Sequence, residues 1–137
     1  MVETNIQDDI LLVKLNRPNK RNALNDAIIL ALEKIFAQVP ATVKCAIVYG
    51  EGQHFSAGLD LSELQERDAV QGLMHSRSWH RALDAIQFGK VPVIAVLHGA
   101  CVGGGLELAS ACHIRVAESS TFYALPEGQR GIFVCGG

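Results

Sequence analysis

The run Gly103-Gly104-Gly105-Leu106-Glu107 joins three glycines to a carboxylate, between the strand-like apolar segment Val91 to Leu97 and an apolar segment suited to a helix. Each glycine costs a helix interior roughly 1 kcal/mol against alanine, so helix propensity does not explain them. Glycines let backbone come close to a ligand, and the first turn of a helix leaves N–H groups without internal partners. Those donors, helped by the positive end of the helix dipole, suit an oxygen that becomes negative during a reaction. Glu107, within the first turn, adds an acid/base group beside them. A plain flexible turn would use the same glycines. The segment His54 to Leu61 (HFSAGLDL) has a similar layout: it follows the strand-like run Lys44 to Gly50 and passes through small residues toward a helix start. Two such turns can each offer one backbone N–H to a single oxyanion.

The elements that must position these turns follow from periodicity. Ile10 to Leu15 reads as a strand, stopped by the turn chemistry of Asn16-Arg17-Pro18-Asn19. Asn22 to Asn25 then leads into a helix with Ile28, Ile29, Leu32, Ile35 and Phe36 at helical spacing. Val43 to Val48 is a second strand, and Asp68 to about Phe88 a long helix with Val70, Leu73, Trp79, Leu83 and Ile86 expected on one buried face. His75 and His80 are expected with Trp79 in that core stripe. Val93 to Leu97 is a third strand, Gly104 to Ala111 a helix, and Ile114 to Val116 and Thr121 to Tyr123 are short extended pieces. Asp60 is suited to cap a helix beginning near Leu61. Strands alternating with helices imply an α/β domain with parallel crossovers.

At 137 residues the chain is expected to form one domain over residues 1–137. With 49% hydrophobic and 19% charged residues it has the composition of a folded, soluble protein. A net charge of −2 lacks the basic footprint of nucleic-acid binding. No apolar run reaches the roughly 18 residues of a membrane span. The acidic start Met1 to Asp9 is unlike a secretory or transit peptide, so a cytoplasmic location is the default expectation. Cys45, Cys101, Cys112 and Cys135 form no C-x-x-C pair and are each expected as a small buried hydrophobe. The five histidines show no metal-ligand spacing, and no metal is predicted.

The two segments HFSAGLDL and HGACVGGGLELA together resemble the enoyl-CoA hydratase/isomerase (crotonase) superfamily. Leu15 to Asn25 (LNRPNKRNALN) resembles its N-terminal signature, and Ala124 to Ile132 (ALPEGQRGI) its second catalytic segment. The four motifs stand in the family's order, from about residue 10 onward. The resemblance implies a spiral of repeated ββα units. It also implies a longer chain, whose C-terminal helical part completes the site and builds a homotrimer or dimer of trimers; that part is missing from these 137 residues.

By motif match the oxyanion donors fall on the backbone N–H groups of Leu59 and Gly104, and the two hydratase acids on Glu107 and Glu127. Coenzyme A would be seated by backbone around Ala23 and Leu24 and around Ser56, Ala57 and Gly58. Lys20 and Arg21 either meet its phosphates or form a solvated basic turn. The substrate implied is an acyl-CoA thioester, with no cofactor beyond the coenzyme A it carries. The presence of both acids favours hydration of a 2-enoyl-CoA. The alternatives are double-bond isomerisation resting mainly on Glu127, and a catalytically silent acyl-CoA-binding fragment.

Overall fold

The computed structural model describes residues 1–63 and 66–134, and the expectation for Cys135 falls outside them. Among the described residues, seven strands and three α-helices follow one another: β1 Val2–Gln7, β2 Ile10–Leu15, α1 Asp26–Ala37, β3 Cys45–Gly50, α2 Ala69–Gln87, β4 Val93–Leu97, β5 Ala100–Val102, α3 Gly104–Ala111, β6 Ile114–Ala117 and β7 Phe122–Ala124. The main sheet has the order β1-β2-β3-β4-β6, with β1 antiparallel to β2 and the other pairs parallel.

A second layer runs beside it. It consists of the parallel pair β5–β7 and two isolated parallel bridges, Leu24 to Leu59 and Ser56 to Cys101. Each circuit of the chain thus places one long strand in the main sheet, a short extended piece in the second layer and then a helix. This is the ββα spiral that the sequence motifs imply.

Register lines up one buried row across the main sheet: Val13 pairs with Val48, and Val48 with Ala95. All three are fully buried, as are Ile28, Leu32, Leu83 and Ile86 on the helices facing them. The helices start where the sequence supplies caps. Asn25 Oδ1 accepts from the Ile28 N–H at 3.1 Å, and Asp68 with Gln71 forms a reciprocal capping box.

Three features depart from the sequence reading. β1 was not expected, because its residues from Glu3 to Gln7 are exposed and carry no apolar alternation; backbone pairing with β2 forms it. β5 was read only as part of a turn, since three residues are too few to show a period and its partner β7 is distant in sequence.

The face of α2 is also rotated. Val70 and Leu73 are 69% and 53% exposed, while the buried stripe is Trp79, Ala82, Leu83 and Ile86. Val70 lies nine residues before Trp79, about two and a half turns at 3.6 residues per turn, and so on the opposite side. His75 is half-buried on the Trp79 side, whereas His80 is exposed and does not belong to the stripe. Among the cysteines, Cys101 and Cys112 are buried and Cys45 is half-buried. Burial pushes the Cys101 thiol up to about 11 and the Cys112 thiol to about 12, so both remain unreactive protonated groups. Among the described residues, no helix is long and apolar enough to cross a membrane.

Candidate active site

The segment from residue 16 to 25 folds back onto residues 51 to 60, and Asn22 is the joint. It is 1% exposed and sits at φ 53°, a left-handed conformation that asparagine tolerates better than most residues. Its Oδ1 accepts from the Arg17 N–H at 2.8 Å, and its Nδ2 donates to the Glu51 and His54 carbonyls at 2.9 and 2.8 Å. Its own carbonyl accepts from Ser56 Oγ at 2.8 Å, and that hydroxyl in turn accepts from the Gly58 N–H at 3.2 Å. Ser56 is therefore a buried strut of the turn, and Leu24 is a fully buried core residue. Leu24 exchanges backbone bonds with Gly58 and Asp60: its N–H donates to the Gly58 carbonyl at 2.7 Å, and its carbonyl accepts from the Asp60 N–H at 2.8 Å. The Leu59 N–H lies between these two rungs, and among the described residues no acceptor takes it.

Asp60 locks the same turn from its other end. Its Oδ1 accepts from the Ser62 N–H at 3.0 Å and from Ser62 Oγ at 2.6 Å, as a cap on the 3-10 turn Leu61–Glu63. Its Oδ2 lies 2.6 Å from Arg17 Nη1, which also donates to the Ala23 carbonyl at 3.1 Å. The hydrogen bonds from Ser62, then the one from Arg17, hold the Asp60 carboxyl down at about 2 against an ordinary value of 3.8. A carboxyl with a folded-state pKa below its unfolded one stabilises the fold above the unfolded value and loses that contribution as pH falls toward the folded one. Urea unfolding is therefore expected to show stability dropping between about pH 4 and pH 2. Asp60→Asn should lower stability at neutral pH and flatten the drop; an unchanged profile in the variant would remove Asp60 from this role.

The second turn lies against the first. Gly58 has φ +88°, and a methyl group built there would come within 2.6 Å of the Val102 carbonyl and 3.1 Å of the Gly104 nitrogen. Only glycine permits both that conformation and that approach. Gly104 opens α3, so its N–H is one of the unpaired first-turn donors. A methyl group on Gly104 would stand 3.6 Å from the Leu59 nitrogen and 2.6 Å from the Trp79 ring. The N–H groups of Leu59 and Gly104 are thus brought together above the indole of Trp79. Two adjacent, unaccepted backbone donors form the arrangement that stabilises a developing oxyanion.

Two hollows are lined by Leu59, and a third is lined by Glu107. The first, about 110 Å³, is lined by Ala57, Leu59, Leu61, Val102, Gly103, Pro126, Glu127, Arg130 and Ile132. Glu127 sits on the 3-10 turn Pro126–Arg130 with Oε1 toward Gly103, where a methyl group would come within 2.7 Å of it. Its Oε2 is buried and has no hydrogen-bond partner. The second hollow, about 440 Å³, shares Ala57, Leu59, Leu61, Val102 and Arg130 with the first and is also lined by Lys20, Arg21, Ala23, His54 and Asp60. Lys20 and Arg21 thus give its wall positive charge. The third, about 150 Å³, is lined by Leu106, Glu107, Ser110, Leu125 and Val134.

Glu127, Leu59 and Ala57 border the first hollow, and Leu59, Ala57 and Ala23 the second, while Glu107, 6% exposed, lines the third together with Leu125. A larger open cleft of about 640 Å³, beside Ile6, Leu11 and Lys34, contains none of these residues.

The enoyl-CoA hydratase/isomerase family model matches residues 5–137. The chain belongs to this family. It is 57% identical to a candidate enoyl-CoA hydratase from Rhodopseudomonas palustris CGA009, whose crystal structure superimposes with a TM-score of 0.96 over 99% of this chain and 53% of that one. It is 35% identical to the mitochondrial Delta(3,5)-Delta(2,4)-dienoyl-CoA isomerase of Mus musculus, over 94% of this chain and 43% of the relative. It is 36% identical to the 2,3-dehydroadipyl-CoA hydratase of Escherichia coli K12, over 92% and 49%. The chain therefore spans about half the length of the curated relatives it matches.

Sequence reasoning missed several residues that shape this site. Asn22 was read only as part of a helix entry, although a left-handed asparagine inside a turn is a recognised signal. The Arg17–Asp60 pair and the contact of Trp79 with Gly104 leave no local signal, because their partners lie on different elements. Arg130, three residues beyond Glu127, was visible in the motif but had been given no role.

Proposed function

We propose that this chain carries the acyl-CoA-handling core of a hydratase that adds water across the C2=C3 bond of a 2-enoyl-CoA. The observation that carries the reading is the Glu127 carboxylate, buried at Oε2 without a protein partner, in the hollow that Leu59 also lines, next to Gly103 and the donor N–H of Gly104. The thioester carbonyl would accept from the N–H groups of Leu59 and Gly104. As the water oxygen bonds to C3, the C2=C3 electron pair moves into the thioester and gives an enolate, whose oxygen those two donors stabilise. Removing one such donor typically costs about 3–4 kcal/mol of barrier.

Glu127, nearest the donors, is the group for proton transfer at C2, the carbon next to the carbonyl. Glu107, in the first turn of the same α3 that Gly104 opens, would take the proton of the water attacking C3. Two carboxylates in different environments can divide acid and base work in this way. Ala23 and Ala57 line the larger hollow, and Lys20 and Arg21 supply charge there for the phosphates of coenzyme A. The reaction needs no further cofactor.

The second reading is isomerisation, favoured by the 35% identity to a dienoyl-CoA isomerase. In it Glu127 alone would move a proton between carbons of one enolate, with no water added. Incubating the purified protein with a 2-enoyl-CoA and with a 3-enoyl-CoA in D2O separates the two. Gain of one water by the 2-enoyl-CoA supports the hydratase. Deuterium uptake with a shifted double bond and no added water supports the isomerase. Tight acyl-CoA binding with neither product overturns both and leaves a silent binding fragment.

A further inference from the structure

We infer that Arg130 selects substrates whose acyl chain carries a terminal carboxylate, a refinement that rests on the acyl-CoA reading of the same site. Arg130 closes the 3-10 turn Pro126–Arg130. In such a turn residues three apart lie above one another, so Arg130 is on the same side as Glu127. It lines both the Glu127 hollow and the larger hollow beside it. Apart from Glu127, the side chains bordering the smaller hollow are apolar: Ala57, Leu59, Leu61, Val102, Pro126 and Ile132. Arg130 is the cation of that lining, and among the described residues no carboxylate pairs with it. Arg17, Arg67 and Arg81, by contrast, each hold an acidic partner.

A guanidinium does not shed its proton, and its planar fork matches a carboxylate through two parallel hydrogen bonds. Arg130 is exposed, so water solvates its guanidinium beside an uncharged acyl tail, whereas a carboxylated tail would replace that water with two charge-assisted hydrogen bonds. The same charge offsets the repulsion that a second carboxylate would otherwise meet from Glu127. The phosphates of coenzyme A are the competing source of negative charge. Lys20 and Arg21 already face the larger hollow for them, and Arg130 differs from both in reaching the hollow where the reacting carbons would lie.

The test compares two saturated acyl-CoA thioesters of equal chain length, one ending in a methyl group and one in a carboxylate. Calorimetric binding to the purified protein and to its Arg130→Gln and Arg130→Lys variants is measured, together with free coenzyme A. Turnover of the two corresponding 2-enoyl-CoA thioesters is measured in parallel. A charge-assisted contact at an exposed guanidinium predicts up to about fivefold tighter binding of the carboxylated thioester. The preference should disappear in Arg130→Gln and survive in part in Arg130→Lys. Equal affinities in the unaltered protein overturn the inference. So does an Arg130→Gln variant that weakens both thioesters and free coenzyme A alike, which would make Arg130 a phosphate contact. Preference without turnover keeps Arg130 and overturns the hydratase reading; turnover without preference does the reverse.

Discussion

Replacing Glu127 by Gln is expected to lower turnover by about 10²- to 10⁴-fold, the range that a positioned acid/base group supplies, while acyl-CoA binding stays within a few-fold. The glutamine amide has nearly the shape of the carboxylate, so the contact with Gly103 and the burial of the side chain are preserved. What is lost is the ability to accept and return a proton. Oε2 is buried and has no hydrogen-bond partner, so the substitution breaks no internal bond at that atom and a folding defect is not expected. Steady-state kinetics, with the dissociation constant of a non-reactive acyl-CoA measured beside them, check the claim. Turnover within a few-fold of the unaltered protein would remove Glu127 from the chemistry. Weakened binding with proportionately reduced kcat/KM and unchanged kcat would make it a binding residue only.

Gly104→Ala is the second large effect, and here two terms of opposite sign compete. Helix propensity favours alanine by about 1 kcal/mol. Packing opposes it, because the new methyl group would meet Trp79 Cη2 and Cζ3 at 2.6 and 2.7 Å. Trp79 is 1% exposed and belongs to the main core cluster, so the ring cannot retreat into open space. Forcing an extra methyl into a packed core typically costs about 1–3 kcal/mol. Packing therefore wins, and the first turn of α3 shifts with the Gly104 N–H.

Because that N–H is one of the two candidate oxyanion donors, even a displacement on the order of 1 Å is expected to cost roughly 100-fold in turnover. Thermal unfolding and kcat together decide the matter. A lowered Tm with kcat reduced about a hundredfold or more is the expected pair. A raised Tm with unchanged kcat would show that propensity prevails and that the indole does not set the position of the donor.

These two residues also mark the boundary of what the sequence discloses. Glu127 was legible because LPEG and GGGLE are short, contiguous motifs, and the helix Gly104–Ala111 follows from apolar spacing within one window. The caps Asn25 and Asp68 also act locally, on N–H groups three residues away, but the sequence reading assigns capping only to Asp60. Family membership rests on those local runs, and the ββα order followed from the family resemblance they carry.

Trp79 beneath Gly104 was not legible, although both residues were singled out, because their contact joins α2 to the start of α3. The same holds for the fold-back of Asn22 onto His54, 32 residues away, and of Arg17 onto Asp60, 43 residues away. The phase of α2 was misread from Val70 and Leu73 because an apolar residue at roughly helical spacing does not say which side faces the core; the packing of Trp79, Ala82 and Leu83 does.

Local signals in the chain thus mark candidate residues for chemistry, most of the strands and helices, and the family, since each acts within a few residues along the chain. Packing between elements places the Leu59 and Gly104 turns side by side, Glu127 and Arg130 on one hollow, and Glu107 on another. Those are distances between elements, and they are set by how sheet, helices and glycine turns pack together rather than by any one segment's own preference.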